Sequence, residues 1–376
     1  MRILVWALGG ALVLAASPVW AATDKDREDC DAHDADRNIA GCTRIAEDKR
    51  ESAVMRGVAY VARGLAWQSK GDSDRALSDF SAAIKLNPKD ALAYNDRGML
   101  WRERGDSDRA IADFTTAIGI DPLPRTDQAF TRRGNTTVAK PGVNIYENRG
   151  LTLLERSDFD GAIADFDQAI RRDPNAVESY NGRGAAWRAK GEFDRAVADF
   201  SYAIKLDGSN FGAYYNRGLV EVANGKLDAS IADFTTALRL DPDFVDGYEA
   251  RAEAFLSKTD PKHAVADLDE AIRRDPKRAR DYYLRGSIRY DRYMGFLGDG
   301  WIEKDDLEQA IADFGEAIRL DDRSAEARYA RGLAETTNGQ SDLAAHDFAE
   351  AVRLEPENQQ FAEALKGVTP ERKSMR

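Results

Sequence analysis

The chain has 376 residues, and its 66 aspartates and glutamates outnumber its 54 lysines and arginines, which gives a formal net charge of −12. Hydrophobic residues make up 43% and charged residues 32%, a balance that is typical of folded domains and too apolar for a wholly disordered chain. Because proteins draw non-specific affinity for nucleic acid from clustered lysine and arginine, this acidic balance argues against a nucleic-acid partner.

The chain begins with a segment typical of a secretory signal peptide. Arg2 precedes an apolar run from Ile3 to Ala16, and a small-residue cleavage pattern ends at Ala21. The run is short for a membrane span, and no other long apolar run follows it. An uncleaved anchor or a buried helix is the alternative. We expect residues 1–21 to be a signal peptide, and the mature protein to be periplasmic or secreted, with no membrane span.

Both cysteines of the chain, Cys30 and Cys42, lie just after this leader. In an oxidising compartment they can form a disulfide, because the polar residues between them can loop back. A metal site, built from both cysteines and His33 or from the aspartates of residues 29–36, is the rival interpretation. Neither set has the ligands of a closed zinc site or of a calcium loop. We therefore expect residues 22–56 to be an N-terminal capping segment with a disulfide, and no metal or cofactor.

Two dipeptides recur through the rest of the chain, mostly at intervals of 34 residues. The arginines of the Arg-Gly series, one of which precedes Ala252 instead of glycine, are Arg63, Arg97, Arg149, Arg183, Arg217, Arg251, Arg285 and Arg331. The aspartates of the Asp-Phe series, one of which precedes Leu268 instead of phenylalanine, are Asp79, Asp113, Asp165, Asp199, Asp233, Asp267, Asp313 and Asp347. Each aspartate follows its arginine by 16 residues, except in the seventh copy, where the separation is 28.

Each copy of this repeat is predicted to form two helices. In the second copy, Tyr94, Gly98 and Trp101 share one face at helical spacing, and Ala110 and Phe114 share another after a Gly-Asp break. A proline then ends the second helix in most copies, because the residue before proline disfavours helical geometry. Small residues at Gly98 and Ala110 allow the two helices to approach closely.

This 34-residue pattern resembles the tetratricopeptide repeat. The resemblance implies an all-α fold, a right-handed superhelical solenoid of about eight helix pairs, with the first helices lining a concave groove. The predicted repeats are 57–90, 91–124, 143–176, 177–210, 211–244, 245–278, 279–324 and 325–358, all within 57–358. Two insertions, 125–142 and 293–304, interrupt the period, and residues 359–376 are assigned to a C-terminal cap and tail.

The recurring Arg and Asp depart from the apolar residues that are more usual at these repeat positions. Eight arginines in step with eight aspartates predict paired guanidinium and carboxylate groups, within or between repeats, such as Arg183 with Asp199. A row of ligand-binding arginines is the alternative. Recurrence in every repeat favours the structural role.

The insertions differ in character. Insertion 125–142 has a local charge of +3 and is predicted to be a solvated loop, with a partial helix as the alternative. Insertion 293–304 contains Phe296 and Trp301, which either pack back on the chain or contact a partner, and packing back is favoured.

Known catalytic and nucleotide-binding motifs are absent from the sequence, and its three histidines are widely separated. We expect a non-enzymatic scaffold of the cell envelope that binds a protein or peptide in the groove. An enzyme or accessory subunit of an envelope polymer-synthesis or hydrolysis complex, using Glu249 and Glu253, is one alternative. A solenoid that self-assembles through its ends is another.

The repeat geometry selects the residues that face the groove, and apolar ones concentrate in its C-terminal half. The predicted partner-binding residues are Tyr215, Leu219, Leu256, Tyr283, Tyr290 and Tyr329, with Phe296 and Trp301 from the insertion. Core packing is the competing interpretation for each tyrosine. The lysine, arginine and asparagine clamp by which some of these proteins hold a C-terminal carboxylate has no counterpart here.

Overall fold

The structure, a computed structural model, describes residues 22–120, 141–295 and 305–368. These residues form nineteen helices and no strand. Two helices, α1 (Asp24–Cys30) and α2 (Ala35–Glu47), precede the repeats, and α19 (Gln359–Val368) follows them. The all-α solenoid of helix pairs expected from the sequence is confirmed.

Every repeat contributes two helices. The first helices are α3 (Ala53–Ser69), α5 (Ala91–Glu103), α7 (Pro141–Glu155), α9 (Val177–Ala189), α11 (Phe211–Ala223), α13 (Val245–Ser257), α15 (Ala279–Tyr293) and α17 (Ala325–Thr337). The second helices are α4 (Ser73–Leu86), α6 (Ser107–Ile120), α8 (Phe159–Arg172), α10 (Phe193–Leu206), α12 (Leu227–Leu240), α14 (Pro261–Arg274), α16 (Asp306–Leu320) and α18 (Ser341–Leu354). The chain divides into two compact units, of which the first ends at Gly182 and the second begins at Arg183.

The turn between the two helices of a repeat is fixed by one glycine and one capping residue. In the second repeat Gly105 has a φ of +77°, which a residue with a side chain rarely adopts. The Asp106 N–H donates to the Trp101 carbonyl at 2.8 Å and ends α5. The Asp106 carboxylate accepts from the Arg109 N–H at 3.0 Å and begins α6. The sequence Gly-Asp therefore ends one helix and starts the next.

In seven of the eight repeats, the core contains a phenylalanine ring that packs against a glycine of the facing helix. Phe114 is fully buried, and a Cβ added to Gly98 would lie 2.8 Å from a carbon of its ring. The sixth repeat changes both partners, because Ala252 replaces the glycine and Leu268 replaces the phenylalanine. Both are at most 2% exposed and belong to one core cluster. A methyl group on the first helix is thus accommodated by a smaller side chain opposite it.

The recurring arginines and aspartates are paired in all eight repeats. Each arginine donates from Nε and Nη2 to the two carboxylate oxygens of the aspartate in its own repeat. Arg183 donates to Asp199 at 2.8 and 2.6 Å. These forked hydrogen bonds link the first helix of a repeat to its second helix. The arginine side chains are 13–24% exposed and the aspartates no more than 10%.

The third nitrogen of the guanidinium group links neighbouring repeats. Nη1 of Arg217 donates to Ser201 Oγ of the preceding repeat at 3.0 Å, and four other arginines make the equivalent hydrogen bond to a hydroxyl group. Arg285 uses the same atom to contact Asp269, at 2.6 Å. Glycine occupies the corresponding position before Arg331, at Gly315, and offers no side chain. The pairs thus act both within and between repeats.

The N-terminal segment contains a shortened helix pair that resembles a repeat. Thr43 on α2 accepts from Nη1 of Arg63 at 2.9 Å, as the hydroxyl groups of later second helices do for their arginines. The preceding residue, Cys42, is fully buried where the repeats place phenylalanine, and it forms a disulfide with Cys30 on α1. Helix α3 begins at Ala53, ahead of residue 57, where the sequence predicts the start of the first repeat.

Candidate functional site

The first helices of the C-terminal compact unit carry the six predicted partner-binding residues that the structure describes. Phe296 and Trp301 lie outside the described residues. Three of the six, Tyr215, Leu219 and Leu256, pack against core clusters and are partly buried. The ring of Tyr215 lies 5.9 Å from that of Phe234 between ring centroids. These three residues therefore contact the core, and their role in partner binding stays a prediction.

Tyr283, Tyr290 and Tyr329 share one cavity, although all three also contact core clusters, Tyr283 and Tyr290 around Phe314 and Tyr329 around Phe361. This tyrosine cavity has a volume of about 440 Å³. It is formed by α15, α17 and the start of α19, and its walls are Tyr283, Ser287, Tyr290, Asp291, Phe314, Glu326, Tyr329, Ala330, Leu333, Asn358, Gln360 and Phe361. The structure thus brings Tyr329 of the eighth repeat together with two tyrosines of the seventh.

Two of the three tyrosine hydroxyl groups in the cavity are held by neighbouring polar side chains. The hydroxyl groups of Tyr290 and Thr337 lie 3.0 Å apart, and the Gln360 amide donates to the Tyr329 hydroxyl at 2.9 Å. The first contact links α15 to α17, and the second links α17 to α19. The hydrogen bonds hold these two rings in place before any ligand is present.

Two carboxylates, Asp291 and Glu326, also line the tyrosine cavity, whereas no lysine or arginine is among its lining residues. Asp291 is partly buried, and burial raises the pKa of its carboxyl group. It makes no hydrogen bond or ion pair with the residues that the structure describes. Burial also raises the pKa of Tyr283, and the negative charges of Glu326 and Asp291 add to this effect. The cavity is therefore aromatic and acidic.

Asp291 lies on α15, one residue after Tyr290. This helix has 15 residues, whereas α11, α13 and α17 have 13 each, and Asp291 is its thirteenth residue, so it corresponds to the last residue of the shorter helices. The groove positions transferred from the repeat pattern do not include this one, so sequence reasoning missed Asp291.

Two other carboxylates of this compact unit, both on the first helix α13, are bound by arginine. Arg278 donates to Glu249 at 2.8 Å, and Arg280 donates to Glu253 at 2.8 Å. These are the two carboxylates that the alternative interpretation, an enzyme, would use. Both are ion-paired, and in the residues described here no three His, Cys, Asp or Glu side chains converge on a possible metal position.

A buried carboxyl group lies beside one of these pairs. Asp281 has no exposed surface, and burial together with the neighbouring Glu249 raises its pKa to about 8. At the corresponding positions of the N-terminal compact unit, Ser179 Oγ donates to Glu147 at 2.6 Å. A carboxyl group at Asp281 therefore stands where another repeat has a neutral hydroxyl group, and it holds a proton near neutral pH.

Comparison with known proteins identifies the repeat. A family model described as the tetratricopeptide repeat matches more than half of the chain, at residues 61–123, 148–211, 215–279 and 302–360. No curated protein gives a significant match.

Several solved structures share the fold. A tetratricopeptide repeat protein from Parabacteroides merdae is 19% identical with a TM-score of 0.53, and the match covers 74% of this chain and 98% of that one. PilW, a type IV pilus biogenesis factor, is 17% identical with a TM-score of 0.51, covering 58% and 94%. PilF from Pseudomonas aeruginosa is 15% identical with a TM-score of 0.51, covering 60% and 98%. At these identities the likeness concerns the fold alone. The family model, which matches the chain over four separate stretches, establishes that this protein belongs to the tetratricopeptide repeat family.

Proposed function

We propose that this protein is a non-enzymatic scaffold that binds a protein or peptide segment on the first-helix face of its C-terminal compact unit. Proteins of this family generally act as protein-interaction scaffolds, and their stacked repeats present extended binding surfaces. The observation that carries the proposal is the tyrosine cavity, about 440 Å³ in volume. Its three tyrosines come from two neighbouring repeats.

The chemistry of the cavity suits a peptide side chain. Tyrosine supplies a large apolar surface with a polar tip at low entropic cost, which is why it is enriched where proteins bind partners. Two of the three hydroxyl groups are held by Thr337 and Gln360, so the rings need little reorganisation on binding. Ser287, Asn358 and Gln360 add polar groups around the rings.

Site-specific photo-crosslinking tests this proposal. A photoreactive phenylalanine analogue is placed at Tyr290 in the cavity, and at Tyr202 on the second helix α10 as a control, since Tyr202 is 39% exposed. We expect a discrete crosslinked partner from Tyr290 in living cells and none from Tyr202. Equal crosslinking from both positions would contradict binding at the cavity.

We also propose that residues 1–21 direct export of the chain. The apolar run after Arg2 and the disulfide between Cys30 and Cys42 support this, because structural disulfides persist in oxidising compartments. No helix within the described ranges is both long and apolar enough to cross a membrane. Mass spectrometry of the protein from its native host tests export: we expect a mature N-terminus at Ala22 and no free thiol. Full-length protein with two free thiols would contradict it.

A further inference from the structure

The tyrosine cavity combines aromatic faces with negative charge, and this combination selects a ligand. From it we infer that the cavity binds the side chain of a lysine or arginine in the partner segment. The inference rests on the proposed function and specifies the chemistry of the partner.

The rings provide the first part of the recognition. A cation over the face of a tyrosine is attracted by the ring quadrupole, by about 0.5–1 kcal/mol at an exposed position and about 2 kcal/mol or more when desolvated. Tyr283, Tyr290 and Tyr329 line one cavity, so a single cationic group there can approach more than one ring. The same chain already uses this contact elsewhere, because the guanidinium carbon of Arg75 lies 3.6 Å from the Trp67 ring centroid.

The carboxylates provide the second part. A carboxylate that loses water without gaining a partner is costly, which is why buried charges are normally paired. Glu249 on α13 follows this rule, since its side chain is 12% exposed and Arg278 donates to it. Asp291 is partly buried but makes no ion pair with any residue that the structure describes, and no lysine or arginine lines the tyrosine cavity. A cation from the partner supplies the missing counter-charge.

The positions of the lining residues indicate where the cation and the residue next to it would bind. Glu326 is exposed in the first turn of α17, where it attracts a positive charge from solvent, and Asp291 is more deeply placed. Leu333, Ala330 and Phe361 give the walls an apolar part. A volume of about 440 Å³ leaves room beyond one basic side chain, so we expect an apolar residue beside the lysine or arginine.

Selection from a random peptide library tests the inference with the full-length protein. A heptapeptide phage library is selected against the wild type, and the best peptide is synthesised with a fluorescent label. We expect enrichment of peptides with lysine or arginine next to an apolar residue. Replacing the arginine by citrulline, its neutral isostere, should weaken binding at least tenfold; a lysine is replaced by norleucine.

Variants locate the bound charge. Asp291→Asn should weaken the basic peptide at least fivefold and leave the neutral peptide unchanged, and Glu326→Gln should act in the same direction with a smaller effect. Asp342→Asn, which removes an exposed charge from the second helix α18, serves as the matched control and should change neither. Circular dichroism melting tests whether all three variants are folded. If Asp291→Asn is unfolded, the comparison of Glu326→Gln with the wild type decides.

The outcomes separate the inference from the proposed function. Selected peptides that are neutral or acidic, or an Asp291→Asn variant that weakens both peptides equally, would refute the basic ligand while leaving peptide binding intact. A library that yields no binding peptide would refute both. Weaker binding of the basic peptide at higher salt is an additional expected result, because salt screens partly exposed charges.

Discussion

Replacing Leu268 with phenylalanine is expected to destabilise the sixth repeat, even though phenylalanine is the residue found at this position in the other seven repeats. Ala252 takes the place of the facing glycine, and a Cβ at those glycines would lie 2.6–3.0 Å from a ring carbon. Contacts this short force the ring or the helix to shift. Overpacking of a core typically costs about 1–3 kcal/mol, and we expect Leu268→Phe to fall in this range.

The reverse change completes a double-mutant cycle. Ala252→Gly alone removes a buried methyl group, worth about 0.8 kcal/mol, and introduces glycine into a helix, which costs about 1 kcal/mol. In the double variant the phenylalanine ring rests on glycine, as in the other repeats. The two changes should therefore be coupled favourably, by about 1–3 kcal/mol relative to their sum.

Urea unfolding followed by circular dichroism measures the cycle, and hydrogen exchange of α13 and α14 locates the change within the array. Ala252→Gly and Leu268→Phe should each destabilise the protein alone. The double variant should be more stable than the sum of the two effects predicts. Additive effects, or a Leu268→Phe variant as stable as the wild type, would show that the glycine–phenylalanine contact does not set the distance between the two helices.

Three further predictions concern the polar contacts. Gly315→Ser should raise the melting temperature above that of Gly315→Ala, because the hydroxyl oxygen accepts a hydrogen bond from Nη1 of Arg331; equal values would contradict it. Arg183→Ala should destabilise the fold by about 3–5 kcal/mol, or less if water reaches Asp199, and an unchanged melting curve would show that the pair is fully solvated. Asp281 has its pKa raised to about 8, so the folded state keeps a proton that the unfolded state releases above about pH 4, and stability should fall as pH rises from 4 to 8. Asp281→Asn should remove this slope, which is at most about 1.4 kcal/mol per pH unit, and denaturant unfolding at pH 5 and pH 8 would show an unchanged slope if the carboxyl group ionises normally.

The sequence was sufficient for the repeats because their signature residues are the ones that pack. Gly98 and Phe114 contact each other directly, and Arg97 and Asp113 pair across the same two helices, so spacing alone predicts the helix pair. The N-terminal pair was missed because Cys42 replaces the phenylalanine there and no Arg-Gly precedes it.

The site was predictable only in part. Spacing along the first helices selected Tyr290 and Tyr215 alike, but only contacts between repeats distinguish a cavity residue from a core residue. Tyr215 is covered by Phe244, whose ring centroid lies 4.8 Å away, and this loop residue belongs to no repeat signature. The cavity also requires α19, which places Phe361 opposite the tyrosines. The sequence predicts only a C-terminal cap for this segment. Neither contact follows from the period of the sequence.

The arginine that joins neighbouring repeats also explains how this protein tolerates insertion 125–142. Arg149 Nη1 donates to Thr115 at 2.9 Å although 34 residues separate them, whereas most of the equivalent contacts span 16. The extra residues between α6 and α7 thus do not displace this hydrogen bond, and doubling a loop costs only about 0.6 kcal/mol of closure entropy. The connection between two repeats can therefore be lengthened while the contact between them is kept, so sequence can be added there without redesign of the core.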